Sequence, residues 1–228
     1  IKNDTEDCLL FPMDDFLTSE ALAISPELKI SRIETLNSLI ENSKKIVVTN
    51  LMGYLRFLPQ SSEYKNSKLN LKVGNEIEIS DLISKLNNLG YTRETIVGKT
   101  GEFAPRGYVL DIFPISYESP IRLEFWGNEI TEIKSFNINS QMTIENLNEL
   151  CIYPNTEFII NDEKLDDTQR KQYNLQKYTQ VCNILEYMKP CDVIYNNLDD
   201  IMHGCEVLLN EINDYKKEID NPPEKYMF

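Results

Sequence analysis

The most regular pattern of apolar and polar residues is a two-residue alternation near the middle of the chain. Residues 121–126 read IRLEFW, so apolar side chains alternate with Arg122, Glu124 and Trp126. This period is typical of a strand with one buried face. A Gly-Asn pair follows and residues 129–136 return, which predicts a β-hairpin. Another strand is predicted before this hairpin, over residues 108–113, and Pro114 ends it.

Helical spacing of apolar residues appears earlier in the chain. It predicts a helix over residues 26–42, with Ser25 as the N-cap and Pro26 at the first helical position. Apolar runs at residues 8–11 and 44–49 flank this helix and predict two buried strands. The strand–helix–strand order indicates part of an α/β layer.

A second helix is predicted from a leucine stripe at Leu82, Leu86 and Leu89. Ser80 is its candidate N-cap, and Gly90 lies where a left-handed C-terminal cap is expected.

The remaining segments are polar or helical in pattern. Residues 60–68 predict a linker, and residues 191–195 a short strand. Two helices are predicted after Pro154, from helically spaced apolar positions at Tyr178, Val181, Leu185 and Met188, and at Leu208, Ile212, Tyr215 and Ile219.

Composition narrows the function classes. The net charge of −14 disfavours DNA binding as the main function, because a nucleic-acid-binding face needs basic residues. No apolar run approaches the ~20 residues that cross a bilayer. The five cysteines are odd in number and form no CxxC pair, which argues against disulfides and zinc and favours a reducing cytoplasm. The chain begins at Ile1, which predicts that part of a longer protein is missing.

The motifs of common catalytic sites are incomplete. Gly98-Lys99-Thr100 suggests a phosphate-binding loop, but Arg93 occupies the position of its first glycine, so a polar turn is favoured. His203 is the only histidine, which weakens triad proposals. Asp111 lies within an apolar strand, so it either faces water or needs a buried donor.

Three residues are candidates for a contact site: Arg106, Arg122 and Trp126. Arginine and tryptophan are enriched at binding hot spots. Arg122 and Trp126 are four residues apart on one strand and are expected to project on the same side. The structural alternative, equally weighted, is a cross-strand Arg–Glu pair with the tryptophan covering the sheet edge.

A family resemblance is carried by three segments of this region: GEFAPRGYVLDIFP, PIRLEFWGNEITEIKSFNINSQMT and LCIYP. They resemble the module shared by the excision-repair protein UvrB and the transcription-repair-coupling factors. Two upstream segments are similar to the coupling factors in particular: FPMDDFLTSEALAISPELKISRIETLNSLI and KKIVVTNLMGYLRFLP. The resemblance runs from about Leu9 to Pro154.

The resemblance implies a fold of the α/β and α+β classes in three parts. Residues 1–68 resemble the later part of a helicase-like α/β subdomain. Residues 69–153 resemble an inserted mixed α/β domain with antiparallel strands, which binds the damage-recognition ATPase UvrA. Residues 154–228 resemble a shortened helical subdomain. The family's two UvrA-contacting arginines match Arg106 and Arg122.

The third contact of the family is aromatic and matches Trp126, where the family more often has Phe. Met142 stands where the family tends to have Arg. The resemblance implies recruitment of UvrA to stalled transcription complexes for nucleotide excision repair, by docking and without catalysis, metal or cofactor in this fragment. It also implies a bacterial cytoplasmic parent protein with an ATP-dependent DNA translocase, whose other domains are further partners. Little direct nucleic-acid binding is expected.

Three alternatives remain open from the sequence. The first is a fragment of a UvrB-type ATP-dependent damage-verification protein. The second is an autoinhibitory scaffold that restrains the parent's motor. The third is an unrelated hydrolase that uses Asp111, Glu118 or Glu124, and it requires a deep cleft around Asp111.

Overall fold

The structure is a computed structural model and describes residues 8–13, 26–42, 44–159 and 180–218. The described residues fall into two compact units, the first within Ile1–Ser61 and Asp166–Phe228 and the second within Ser62–Leu165. The fold is a mixture of helices and largely antiparallel sheets, compatible with the α+β class. The three-part division stays a prediction.

Twelve strands and six helices lie within the described residues. The strands are β1 (Cys8–Phe11), β2 (Ile46–Thr49), β3 (Leu58–Pro59), β4 (Leu69–Lys72), β5 (Thr92–Arg93), β6 (Glu102–Arg106), β7 (Val109–Ile112), β8 (Ile121–Trp126), β9 (Glu129–Phe136), β10 (Thr143–Leu147), β11 (Glu149–Ile152) and β12 (Val181–Cys182). The helices are α1 (Pro26–Glu41), α2 (Leu51–Leu55), α3 (Ser61–Asn66), α4 (Ile79–Asn88), α5 (Ile184–Tyr187) and α6 (Leu198–Glu218).

The first unit contains the predicted strand–helix–strand layer. Strands β1 and β2 pair in parallel, with α1 between them along the chain. The predicted N-cap Ser25 lies outside the described residues. Thr35 of α1 donates a hydrogen bond to the Leu10 carbonyl at 2.6 Å, which ties the helix to β1. The prediction that both strands are buried is wrong, because Leu10, Ile46 and Val48 are exposed while Phe11 is buried.

The segment after residue 180 differs from its helical prediction. Val181–Cys182 is a strand that pairs antiparallel with Leu58–Pro59, and only Ile184–Tyr187 is helical. The Tyr187 hydroxyl donates to the Pro59 carbonyl at 2.9 Å and holds this pairing. Residues 191–195 form no strand, and the last helix begins ten residues earlier than its first predicted position, at Leu198. Tyr178 and Ile219 lie outside the described residues.

The second unit is built on a six-stranded sheet with strand order β10-β9-β8-β7-β6-β5. Five of its strands run antiparallel to their neighbours, and the short β5 is parallel to β6. Helix α4 packs on one face, and its Leu82 and Leu86 are fully buried against Phe103, Leu110 and Leu123. The small β4–β11 sheet adds Leu71 and Leu150 to the same core.

The ends of α4 meet one prediction and contradict another. The N-cap is Glu78 rather than Ser80, whose hydroxyl is 3.2 Å from the Glu78 carboxylate. Gly90 has a φ of +82°, the left-handed C-terminal cap that was predicted. The predicted linker over residues 60–68 contains α3, so it is not extended.

Candidate functional site: a charged sheet face

One face of the six-stranded sheet carries charged residues, whereas the other packs on α4. Asp111 on β7 lies opposite Ala104 on β6 and Arg122 on β8. Directly paired residues project on the same side of a sheet, and side chains alternate along each strand. Arg106 therefore lies on the side of Asp111 and Arg122, away from Leu110 and Leu123. We call Arg106, Asp111 and Arg122 the guanidinium cluster.

Asp111 is the centre of the cluster, and its side chain is only 3% exposed. Its Oδ1 accepts a hydrogen bond from Arg122 Nε at 2.7 Å, and its Oδ2 accepts one from Arg122 Nη2 at 2.9 Å. Arg106 Nη2 donates to the same Oδ2. Of the two possibilities for Asp111, a buried donor is therefore correct. A two-pronged arginine–carboxylate bond fixes the orientation of both groups.

Arg122 is held on further sides. Its Nη2 also donates to the Gln141 Oε1 at 2.8 Å, and its guanidinium carbon lies 4.3 Å from the centre of the buried Phe136 ring. The hydrogen bonds that Arg122 donates to Asp111 raise the pKa of Arg122, although burial acts in the opposite direction. The side chain is 20% exposed.

Arg106 is more open than Arg122. Its side chain is 43% exposed, and within the described residues its one ion pair is the bond from Nη2 to Asp111. Most of its five N–H donors therefore face solvent or a partner.

A second ion-paired group lies beside the cluster. Lys134 on β9, opposite Arg122, donates to Glu124 at 2.9 Å and also to Glu132. The Glu132 bond, followed by the Glu124 bond, raises the pKa of Lys134. The structural alternative, an Arg–Glu cross-strand pair, is wrong in its partners, because Arg122 pairs with Asp111 and Glu124 pairs with Lys134.

Two aromatic side chains are exposed at the turn end of this sheet. Trp126 ends β8 and is 81% exposed, and Tyr108 precedes β7 and is 71% exposed. The Phe125 amide donates to the Tyr108 carbonyl at 2.9 Å, so Tyr108 lies beside the end of β8. Gly107 has a φ of +62°, which lets β6 and β7 join through two residues.

The similarity of this chain to known proteins covers the segment that carries the charged sheet face. The sequence model of the UvrB interaction domain matches residues 69–158. A transcription-repair-coupling factor of Bacillus subtilis is 37% identical over 156 residues, which is 68% of this chain and 13% of the relative. One of Staphylococcus epidermidis is 31% identical over 177 residues, 78% of this chain and 15% of the relative. One of Staphylococcus aureus is 35% identical over 160 residues, 70% of this chain and 14% of the relative.

This chain contains a UvrB interaction domain and is a relative of the transcription-repair-coupling factors. The resemblance inferred from the sequence is therefore confirmed. The matched part spans about one seventh of the length of these curated relatives.

All three predicted contact residues lie inside the UvrB interaction domain. The structure brings Arg106 and Arg122 together on one carboxylate, and it places Trp126 exposed at the end of the strand that carries Arg122. Their role in binding stays a prediction. Sequence reasoning missed Asp111 as the arginines' partner, because this relation depends on strand register.

The loop that resembles a phosphate-binding motif is a turn within the UvrB interaction domain. The Gly98 and Lys99 amides donate to Glu102 Oε2 at 2.8 and 3.0 Å. The polar-turn interpretation is correct for this loop.

Asp111 is not among the residues that line a cavity described in the second unit. That cavity, of about 530 Å³, is lined by residues of α3, α4 and their neighbours, among them Asn66 and Lys85. Both Asp111 oxygens accept from guanidinium groups, which leaves this carboxylate poorly placed as a proton acceptor for a substrate. The hydrolase alternative is disfavoured, because Asp111 is buried and bound by both arginines.

Two features are absent from the part of the chain that the structure describes. No group of three or more His, Cys, Asp or Glu side chains there could hold a metal ion. No helix among them combines the length and the apolar character that a membrane crossing needs.

Proposed function

We propose that this chain is a docking module that binds UvrA and so recruits it to stalled transcription complexes for nucleotide excision repair. The proposal rests on one observation: the charged sheet face lies within residues 69–158, the segment that matches the UvrB interaction domain. The recruiting step belongs to a longer parent protein with an ATP-dependent DNA translocase. Other domains of that parent are further partners.

The chemistry of the face supports docking. A pre-arranged guanidinium suits a carboxylate or carbonyl group of a partner, and a large exposed ring suits an apolar recess. Truncating a desolvated, charged interface contact typically costs about 2–5 kcal/mol. Arg106 and Trp126 are the residues whose exposed groups offer such contacts.

We assign no catalytic step and no cofactor to this chain. The carboxylate at the centre of the face is bound by two arginines, and the glycine–lysine loop donates its amides to Glu102. In this proposal ATP is used by the parent's motor and by UvrA, not here. Direct contact with DNA is a minor part of the function, since the chain has a net charge of −14.

Isothermal titration calorimetry of the 228-residue chain with its cognate UvrA, with and without nucleotide, tests the proposal. We expect a saturable complex of defined stoichiometry that the Arg106→Ala/Arg122→Ala variant weakens at least tenfold. Circular dichroism and thermal unfolding show whether each variant is folded. A folded chain that gives no complex at concentrations of tens of micromolar would rule out the proposed function.

The UvrB-type alternative concerns the parent protein and not this docking step. The relatives described above carry the coupling-factor name, which favours the first proposal. A test is to mutate a phosphate-binding loop next to this module in the natural full-length protein. If that mutation stops ATP hydrolysis, the result favours the UvrB alternative.

A further inference from the structure

Helix α6, in the first unit, carries two rows of apolar side chains. One row includes the buried Leu208 and packs on α2, where a Cβ at Gly204 would lie 2.8 Å from Leu51 Cδ2. We call the second row the α6 seam. Its members are Leu198, Met202, Cys205, Leu209 and Ile212.

The α6 seam is open to solvent along most of its length. Leu198, Met202 and Leu209 are 55%, 57% and 59% exposed, whereas Cys205 and Ile212 are half-buried. The members are spaced alternately four and three residues apart, which is the heptad spacing by which one helix packs along another. The solvent-facing positions of an ordinary surface helix are polar, so this row fits contact with a second helix.

The seam has an acidic edge on its exposed side. Asp199 and Glu206 each follow a member of the seam by one position, which is the heptad position that contacts charged residues of a partner helix. Both residues are exposed. Among the described residues, the ion pair of α6 joins Lys217 to Asp214, so the other two carboxylates are open to a cation.

We propose that the α6 seam binds an amphipathic helix of a partner protein, whose apolar stripe is bordered by lysine or arginine. The stripe covers the exposed leucine and methionine side chains, and the basic residues pair with Asp199 and Glu206. A second copy of this chain is a poor occupant, because it would bring the same acidic edge and a net charge of −14. The seam lies on the first unit and is distinct from the charged sheet face, which lies on the second.

Two synthetic, fluorescently labelled peptides test the proposal. Each has about three heptads with leucine at the two apolar positions, and the flanking positions are lysine in one peptide and glutamate in the other. Fluorescence anisotropy at about 150 mM NaCl measures the Kd of the full chain for each peptide. We expect saturable binding of the lysine peptide at a single site, about tenfold or more tighter than binding of the glutamate peptide.

Substitutions on α6 separate the seam from a general attraction to an acidic chain. Met202→Ser/Leu209→Ser is expected to weaken binding of the lysine peptide about tenfold or more, because it removes apolar contact area. Val207→Ser is the matched control, since Val207 is also apolar and exposed on α6 but lies outside the seam. Asp199→Asn/Glu206→Gln is expected to remove most of the preference for lysine over glutamate. Circular dichroism checks that each variant is folded.

Several outcomes overturn the proposal. If the native chain and the Met202→Ser/Leu209→Ser chain bind the lysine peptide equally, overall charge accounts for the binding. An equal loss in Val207→Ser, or no preference between the two peptides, removes the seam or its acidic edge. A native dimer in light scattering that the seam variant converts to a monomer would make a second copy the occupant. Binding of UvrA is measured without these peptides, so the proposed function can fail or hold independently.

Discussion

At the scale of single residues, the charged face combines fixed and exposed groups. Asp111 and Arg122 are held by several partners, whereas Trp126 projects into solvent. Tryptophan is enriched at binding hot spots, so an exposed ring on the strand that carries Arg122 suits the proposed contact surface.

Trp126→Ala is expected to weaken binding of UvrA by about tenfold or more, because the variant removes a large apolar contact surface. The free energy of unfolding is expected to change by less than about 0.5 kcal/mol, because the side chain is mostly exposed. Trp126→Phe keeps a ring and is expected to retain most of the affinity. Calorimetry and urea denaturation measure the two effects.

Ile144→Ala is the matched control, since Ile144 is also exposed and apolar but lies on the edge strand β10. An equal loss of affinity in this control would mean that Trp126 has no special role.

Cys182 is expected to react slowly with iodoacetamide. Burial raises the pKa of its thiol to about 11 from an ordinary value of 9.0. Near pH 8 the reactive thiolate form of Cys182 is therefore about a hundredfold less populated than it would be with the ordinary pKa. Mass spectrometry of labelled peptides, compared with the exposed Cys191, measures the difference.

The same pKa shift has a defined effect on stability. Because folding raises the pKa of the Cys182 thiol, the protonated thiol contributes to the free energy of unfolding. This contribution is fully present below pH 9 and is lost as the pH rises towards 11. Cys182→Ser removes this part of the pH dependence. Equal labelling rates for Cys182 and Cys191 at pH 8 would contradict the burial of the thiol.

At the scale of elements, several connections of the second unit depend on glycines with positive φ. Gly101, just before β6, has a φ of +87°, and a Cβ there would lie 2.4 Å from Asn155 Nδ2. That amide group donates to the Gly90 carbonyl at 3.2 Å, next to the C-terminal end of α4. One glycine therefore permits contact between the start of a strand and the end of a helix.

Gly101→Ala is expected to lower the free energy of unfolding by about 2–3 kcal/mol. A left-handed conformation costs a residue with a Cβ about 1–2 kcal/mol, and displacing Asn155 costs about one hydrogen bond more. Chemical denaturation followed by far-ultraviolet circular dichroism measures the change.

Gly74→Ala separates the two contributions. Gly74 has a φ of +88°, but a Cβ there has nothing within 4 Å, so only the conformational cost is expected. Equal effects at both glycines would show that the Asn155 contact contributes nothing.

The elements that the sequence predicts well are those with a local signal. Helix α1 and the β8–β9 hairpin follow from apolar spacing and turn residues that lie within one segment. Strand β12 was missed, because it consists of two residues paired with Leu58–Pro59, more than 120 positions earlier. The exposed face of β1 and β2 was also missed, because an apolar run does not reveal which of its faces is covered.

The same difference between local and long-range signals applies to the candidate site. The residue types at Arg106, Arg122 and Trp126 are visible in the sequence, and the family resemblance singles them out. Their unequal bonding is not visible, because it follows from the cross-strand register that places Asp111 opposite Arg122.

At the scale of the whole molecule, the second unit has a core of its own. Among the described residues, its main core is formed by side chains between Leu69 and Ile152, mostly from α4, the six-stranded sheet and the β4–β11 pair. The predicted docking residues are all on this unit. A domain with its own core is expected to fold independently.

A chain of residues 62–165 is therefore expected to fold alone and to bind UvrA within about threefold of the affinity of the full chain. Circular dichroism and a cooperative thermal transition test folding, and calorimetry tests binding. The Arg106→Ala form of the same fragment is the control for a specific complex. A folded fragment with no affinity would place an essential contact on the first unit.

The turn at Gly98 and Lys99 has a consequence for how nucleotide-binding sequences are recognised. Two adjacent backbone amides point at one anion there, but the anion is Glu102, covalently tethered and always present. A phosphate group would have to expel that side chain and leave it buried without its donors. Whether such a loop can bind a phosphate group therefore depends on the residue three or four positions after the glycine and lysine that resemble the motif.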